Sequence, residues 1–252
     1  MHDVMDKRGN LPATVEQRND SHLFLLAGQS NMAGRGIVED EDRVAHPRVL
    51  ALNAEGAWWP AIDPVHFDKP FAGVGLGRTF GITLAEADPS ITVRLIPCAV
   101  GGSPISVWRP GQFWSQTQSQ PYDDSISRAR RALEDGLLKG ILWHQGEGDC
   151  SAESAGDYAD NLESLIHRLR KDLDAPDVPF VIGQLGQFLN NAGSPEVTLV
   201  NAAHVSIAQK IDGAGFVSSS GLTSGGDNLH FDARSQREFG RRYADVYRQL
   251  AT

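Results

Sequence analysis

Strand-like apolar runs alternate with helix-patterned stretches along almost the whole chain, and this alternation limits the fold more than any other feature. The runs at His22–Ala27, Arg48–Leu52, Thr92–Cys98, Gly140–His144 and Pro179–Gly183 are short and dominated by apolar residues. Between and after them come helical patterns near Leu76–Glu86, Ser125–Asp135 and Pro195–Ile211. Tyr158, Leu162, Leu165, Ile166, Leu169 and Leu173 fall on one helical stripe, and the last segment repeats the pattern with Phe239, Tyr243, Val246, Tyr247 and Leu250. Strands that alternate with helices imply an α/β fold, a parallel sheet of about five strands covered on both faces. No repeat, low-complexity tract or linker divides the sequence, so 21–252 reads as a single domain and 1–20 as a flexible N-terminal segment.

Charge and hydropathy remove several function classes. A net charge of −9 leaves no basic face to track phosphates, and the basic runs "SRARRALED" and "REFGRRYADVYR" are interleaved with carboxylates on amphipathic patterns. No nucleic-acid partner is expected. No stretch reaches the roughly 20 apolar residues of a bilayer span, and the start has no apolar h-region of a signal peptide. As written the chain reads as cytoplasmic with no membrane partner, although a secreted chain trimmed of its signal would read the same. Cys98 and Cys150 are too few for a disulfide scaffold and lack metal-site spacing, so free thiols and no metal are expected.

In open parallel sheets, ligands bind beyond the carboxyl ends of the strands. The unusual clusters lie there: "GQSNM" after the first run, "AVGGSPIS" after the third, "QGEGD" after the fourth. The stretch "LFLLAGQSNMAGRG" passes directly from buried-type residues to Gly28, Gln29, Ser30 and Asn31, as a tight turn would if it lifted Ser30 out of a strand end. A serine hydroxyl needs an imidazole to take its proton and a carboxylate to orient that imidazole. Of eight histidines, His230 in "SGGDNLHFDARSQ" has the best company, with Asp227 three residues upstream. Candidate oxyanion donors are the Gly101 and Gly102 N–H groups and the Gln145 amide.

Taken together, "GQSNMAGRG", "CAVGGSPISVW", "ILWHQGEGD" and "DNLHFDARSQREFG" resemble successive blocks of the SGNH-hydrolase superfamily. The variant they resemble is that of carbohydrate esterase family 6 acetyl xylan esterases and sialate O-acetylesterase-like domains, over nearly the whole chain from about His22. The resemblance implies a three-layer αβα sandwich with a flavodoxin-like sheet, and hydrolysis of acetyl esters on carbohydrate without a metal or other cofactor. It implies Ser30 as nucleophile, His230 as base and Asp227 as orienting acid. The implied oxyanion hole is Ser30 N–H, Gly102 N–H and the Gln145 side chain, which stands where the broader superfamily has Asn.

Gln29, Trp108 and Glu147 are further candidates for substrate contact. Glu147 has a second reading, holding its own loop by accepting backbone N–H bonds. Asn31 is expected to bond neighbouring backbone, and His144 to be a core histidine. Trp58, Trp59, Trp108 and Trp114 all fall in the long irregular stretches Asn53–Gly75 and Gly101–Tyr122, either as sugar platforms or as loop closures over the core. "GVGLGRTFG" lacks the Lys-Ser/Thr pair of a phosphate loop and reads as a helix start. Besides an acetylated-carbohydrate esterase, a sialate O-acetylesterase, a lipase- or thioesterase-like hydrolase and a catalytically silent carbohydrate-binding domain remain open at this level.

Overall fold

The computed structural model describes residues 19–189 and 192–252. Residues 1–18 of the N-terminal segment lie outside the described residues. The elements run β1 (Ser21–Gly28), α1 (Ser30–Ala33), β2 (Val49–Leu52), β3 (Trp58–Pro60), α2 (Leu76–Ala87), β4 (Thr92–Pro97), α3 (Pro121–Ala132) and β5 (Leu137–His144). They continue with α4 (Tyr158–Asp172), β6 (Phe180–Gly183), α5 (Pro195–Lys210), β7 (Ala214–Val217) and α6 (Ala233–Leu250). The sheet has seven strands in the order β3-β2-β4-β1-β5-β6-β7. Every pairing is parallel except that of β3 with β2.

β1 lies near the centre of the sheet and sends alternate side chains to opposite faces. Leu23, Leu25 and Ala27 pack under α3, α4 and α5, while Phe24 and Leu26 pack under α2 and α6. Both faces are covered, which is why the strand reads as an unbroken apolar run. Phe24, Phe80 and Tyr247 meet edge to face on one side, and Trp108 and Trp143 on the other. The result is the α/β three-layer arrangement expected.

All five expected strands and all the expected helices are present, with ends shifted by a few residues. The helix expected at Ser125–Asp135 begins at Pro121, where a proline suits the first turn because its missing N–H has no partner there anyway. The helix start read at "GVGLGRTFG" is the beginning of α2 at Leu76. Two strands exceed the expected count. β3 is three residues ending in proline at the sheet edge, and β7 is the four-residue "AGFV". Neither carries enough pattern to be recognised locally; β7 exists because β6 offers it a full ladder from Phe180 to Gly183. Among the described residues no helix is long and apolar enough to cross a membrane.

α6 is tied to the loop after α1 by a buried ion pair. Arg237 donates Nε to Asp42 Oδ1 at 2.9 Å and Nη2 to Asp42 Oδ2 at 2.7 Å, with Glu39 and Glu41 completing the cluster. Asp42 is fully buried. Arg237→Ala should therefore leave the Asp42 carboxylate with only the Glu39 N–H and the nearby Arg78, and destabilise the protein by about 1–3 kcal/mol. Urea denaturation checks this: the midpoint should fall markedly, with little change in the slope.

Candidate active site

β1 ends at Gly28, whose φ is +135° and where a Cβ would sit 2.1 Å from the carbonyl oxygen of His144 on β5. Only glycine fits so close an approach. The next residue, Gln29, donates its N–H to that same carbonyl at 2.9 Å, and the chain turns at once into α1 with Ser30 at its first position. Ser30 thus stands at the carboxyl edge of the sheet.

His230 comes from the loop between β7 and α6. Asp227 shapes that loop from within, Oδ1 accepting the backbone N–H groups of Leu229 at 2.9 Å and His230 at 2.8 Å. Asp227 Oδ2 lies 2.6 Å from His230 Nδ1, and His230 Nε2 lies 3.0 Å from Ser30 Oγ. The Asp227 carboxylate is half exposed. Its partial burial alone would raise its pKa, but the two backbone N–H bonds and the imidazole outweigh that and hold it down to about 2. The carboxylate stays ionised and keeps Nδ1 as a donor, so Nε2 is left to accept a proton from Ser30.

Asn31 joins the two halves. Its Oδ1 accepts the N–H of Phe231 at 3.1 Å and its Nδ2 donates to Leu229 O at 3.1 Å, gripping the backbone on either side of His230. The expectation that Asn31 bonds backbone holds, but that backbone is 198 to 200 residues away rather than adjacent. Gln236 of α6 donates to Asn31 O at 2.9 Å and closes the clamp.

The site opens into a cavity of about 340 Å³ lined among others by Ser30, His230, Gly102, Glu147, Arg35 and Phe71. Gly101 donates its N–H to Asp68 Oδ2 at 2.9 Å and is occupied. Among the described residues no acceptor takes the N–H of Ser30 or of Gly102, and both residues line the cavity. Gly102 has φ +76°, a left-handed conformation that glycine adopts without strain. Asp68 also pairs with Arg35 at 2.7 Å, so one carboxylate fixes both the Gly101 peptide and a cation beside Ser30. Arg35, Asp68, Lys69 and Gln116 were not identified from sequence. Arg35 lies inside "GQSNMAGRG", but the other three sit in long loops with no local signal.

Three of the sequence expectations are corrected here. Gln145 is fully buried and does not reach the cavity: its Nε2 lies 3.2 Å from Gln29 Oε1, 3.2 Å from Ser103 O and 2.5 Å from Asp149 Oδ2. Both amide protons are committed, because the extra methylene carries the group past the strand end into a buried network with Tyr158 and Asp149. It is not an available oxyanion donor. Gln29 turns its side-chain carbonyl to the Gly146 and Gly148 N–H groups and so holds the neighbouring loop, and the residue also lines the cavity beside Ser30. Trp108 is fully buried against Trp143 and bonds Ser103 Oγ at 3.0 Å, so it is core. Glu147 lines the cavity but accepts the Asn31 side-chain amide at 2.5 Å, not backbone N–H groups.

Of the four loop tryptophans, Trp114 alone meets the glycine turn, donating to Gly101 O at 3.2 Å. His144 is a core residue: Nε2 bonds Gln184 O at 3.1 Å, and burial lowers its pKa against the pull of Glu147. Cys98 and Cys150 are free thiols, pushed by burial up to about 11 and about 12. Among the described residues no three His, Cys, Asp or Glu side chains gather as a metal site.

Replacing Gln145 with Ala should leave the buried Asp149 carboxylate with only the Ile105 N–H and take the amide donor from the Ser103 carbonyl, costing about 1–3 kcal/mol of stability. The kcat of the folded variant should fall far less than the roughly 100-fold to 1,000-fold that a lost oxyanion donor costs. Thermal melting measured beside single-turnover kinetics checks both halves.

A family model described as carbohydrate esterase, sialic acid-specific acetylesterase, matches residues 20–249. A probable carbohydrate esterase of Arabidopsis thaliana is 30% identical over 249 residues, covering 90% of each chain. The X-ray structure of an Arabidopsis thaliana protein superposes over 90% of this chain and 98% of its own, with a TM-score of 0.80 and 28% identity. The crystal structure of NanS superposes over 91% and 97% with a TM-score of 0.73 at 17% identity, which bears on the fold alone. A carbohydrate acetylesterase from Xanthomonas citri does so over 92% of this chain and 56% of its own, with a TM-score of 0.66 at 18% identity. With a match that runs from the first strand to the last helix, the chain belongs to the carbohydrate esterase family described as sialic acid-specific acetylesterase.

Proposed function

We propose that this protein is a serine esterase that removes O-acetyl groups from carbohydrate. The observation that carries the proposal is the unbroken relay from Asp227 through His230 to Ser30, with spacings of 2.6 Å and 3.0 Å, at the floor of an open cavity. In this reading His230 Nε2 takes the Ser30 proton as Oγ attacks the acetyl carbonyl. The developing oxyanion is received by the unoccupied N–H groups of Ser30 and Gly102. Collapse of the tetrahedral intermediate expels the sugar oxygen, which takes the proton back from His230, and acetyl stays on Ser30. Water then attacks the acetyl-enzyme with His230 again as base, releasing acetate and restoring the serine.

Arg35, Lys69, Gln116 and Glu147 line the cavity beside the ring of Phe71, so that both polar and apolar faces of a sugar find a counterpart there. Acetyl xylan and O-acetylated sialic acid need the same hydrolytic centre and differ in the surrounding loops. Family membership supports the carbohydrate acetylesterase reading against the lipase-like one.

Ser30→Ala should lower hydrolysis of 4-nitrophenyl acetate and of acetylated sugars by roughly 10,000-fold or more while the protein still folds. A variant that keeps more than about a tenth of wild-type turnover removes Ser30 as nucleophile. A serine-directed phosphonate should label Ser30 in the wild type, and absence of both adduct and turnover would favour a binding domain. Asp227, held down to about 2, stays ionised and able to orient the imidazole well into acid solution. The pH profile of kcat/KM should therefore show no ionisation of this carboxylate between about pH 8 and about pH 4. Asp227→Asn should lower kcat less than loss of Ser30 or His230 does, read in the same assay.

A further inference from the structure

A small closed loop is fastened to the Gly101–Gly102 turn. Trp114 and Ser119 close it backbone to backbone, Trp114 N–H donating to Ser119 O at 2.8 Å and Ser119 N–H to Trp114 O at 3.3 Å. Within it the Thr117 and Ser119 hydroxyls lie 2.7 Å apart, and Gln118 Nε2 donates to Ser115 O at 2.6 Å. Two bonds tie the loop to the site: Trp114 Nε1 donates to Gly101 O at 3.2 Å, and Lys69 Nζ donates to Gln116 O at 2.9 Å. The main chain of Gln116 is thereby held at the edge of the Ser30 cavity, which the residue lines.

The side-chain amide of Gln116 lies against Gly102. A Cβ on Gly102 would stand 3.0 Å from Gln116 Oε1 and 3.8 Å from its Cδ, so the amide occupies room that a side chain at 102 would take. Among the described residues no hydrogen bond takes up this amide, while its neighbours in the lining are committed. Arg35 is held by Asp68 and Gly34 O, Glu147 by Asn31, and Gln29 by the Gly146 and Gly148 N–H groups. A free amide can donate through Nε2 and accept through Oε1, so it can meet a hydroxyl in either sense. Donors to an oxyanion lower the barrier because they are fixed beforehand. The Gln116 side chain is exposed and held by no bond of its own, so it must be ordered by the ligand it meets. A group of this kind selects what binds rather than stabilising charge that develops later.

Resting on the acetylesterase reading above, we propose that Gln116 is a specificity-determining residue that bonds the free hydroxyl on the carbon next to the acetylated one. With the acetyl carbonyl between Ser30 and Gly102, the ester oxygen lies at the same edge of the cavity. On a sugar ring the neighbouring hydroxyl stands within about a hydrogen-bond length of that ester oxygen. It therefore comes to the side of Gly102 where the amide lies. The preferred substrate carries its acetyl ester beside a free hydroxyl, and an ester that lacks this hydroxyl leaves the amide without a partner. One neutral hydrogen bond of this kind is worth about three- to tenfold in kcat/KM.

The test compares three esters, cis- and trans-2-hydroxycyclohexyl acetate and cyclohexyl acetate, with acetate release as the readout. Each hydroxylated ester is referred to cyclohexyl acetate, and the ratio of kcat/KM values is divided by the ratio of their rates with hydroxide ion, which removes the intrinsic effect of the hydroxyl. In the wild type this corrected ratio should be about three to ten for at least one isomer. Gln116→Ala, and Gln116→Met, which keeps the length of the side chain without the amide, should each bring it to about one, mainly through KM. Gln116 is a surface residue, and melting curves for both variants check that they fold. A corrected ratio of about one in the wild type, a raised ratio that both variants keep, or cleavage of 4-nitrophenyl acetate with no turnover of the hydroxylated esters overturns the proposal and leaves the acetylesterase reading intact. An equal fall in kcat on all three esters, on the order of 100-fold, makes the amide an oxyanion donor and overturns the proposal as well. Failure of the wild type on these esters, on acetylated monosaccharides and on 4-nitrophenyl acetate overturns the acetylesterase reading itself.

Discussion

The site depends on one close approach, that of Gly28 to the backbone of His144. With no Cβ between them, the ends of β1 and β5 come near enough for Gln29 to donate to the His144 carbonyl, and the chain can turn sharply with Ser30 at the apex. The three residues that follow the turn then reach in three directions. Gln29 holds the Gly146–Gly148 loop, Ser30 faces His230, and Asn31 clamps the backbone around His230. A strand end that is rigid because it is paired on both sides thereby serves as the common origin for loops that are otherwise unrelated.

Electrostatics at the site follow from hydrogen bonding more than from burial. Asp227 is half exposed and yet strongly acidic, because two backbone N–H groups and an imidazole all favour its anion. The Arg35–Asp68 pair illustrates the same economy. One carboxylate neutralises a cation beside the cavity and also ties down the Gly101 peptide, next to Gly102 in the cavity lining.

Gln145 illustrates how a correct residue type can mislead. An amide at a strand end, beside candidate donors, has the chemistry of an oxyanion-hole side chain. In the folded protein it is instead the hub of a buried network of Gln29, Ser103, Asp149 and Tyr158. Trp108 is a similar case: a loop tryptophan with the makings of a sugar platform that fills the core beneath the loop. The exposed ring that does border the Ser30 cavity is that of Phe71.

The amino-acid sequence by itself determined the layer architecture, because strand and helix periodicities are local and each element of β1, β2, β4, β5 and β6 carries its own apolar pattern. It also determined the pairing of Asp227 with His230, since both lie in one short loop whose geometry is set within the loop. Ser30 was legible because Gly28 and the abrupt loss of apolar residues mark a strand end. Only the tertiary structure decided which way each polar side chain turns at the sheet edge. Gln145, Gln29, Glu147 and Asn31 all had acceptable partners in more than one direction, and most of the groups that made the choice lie between 42 and 200 residues away, with Asp149 and Tyr158 only 4 and 13 residues from Gln145. The short strands β3 and β7 were decided in the same way, by a neighbour offering a ladder rather than by any pattern of their own. A buried polar group must find a partner somewhere, and sequence reveals the need without revealing the address.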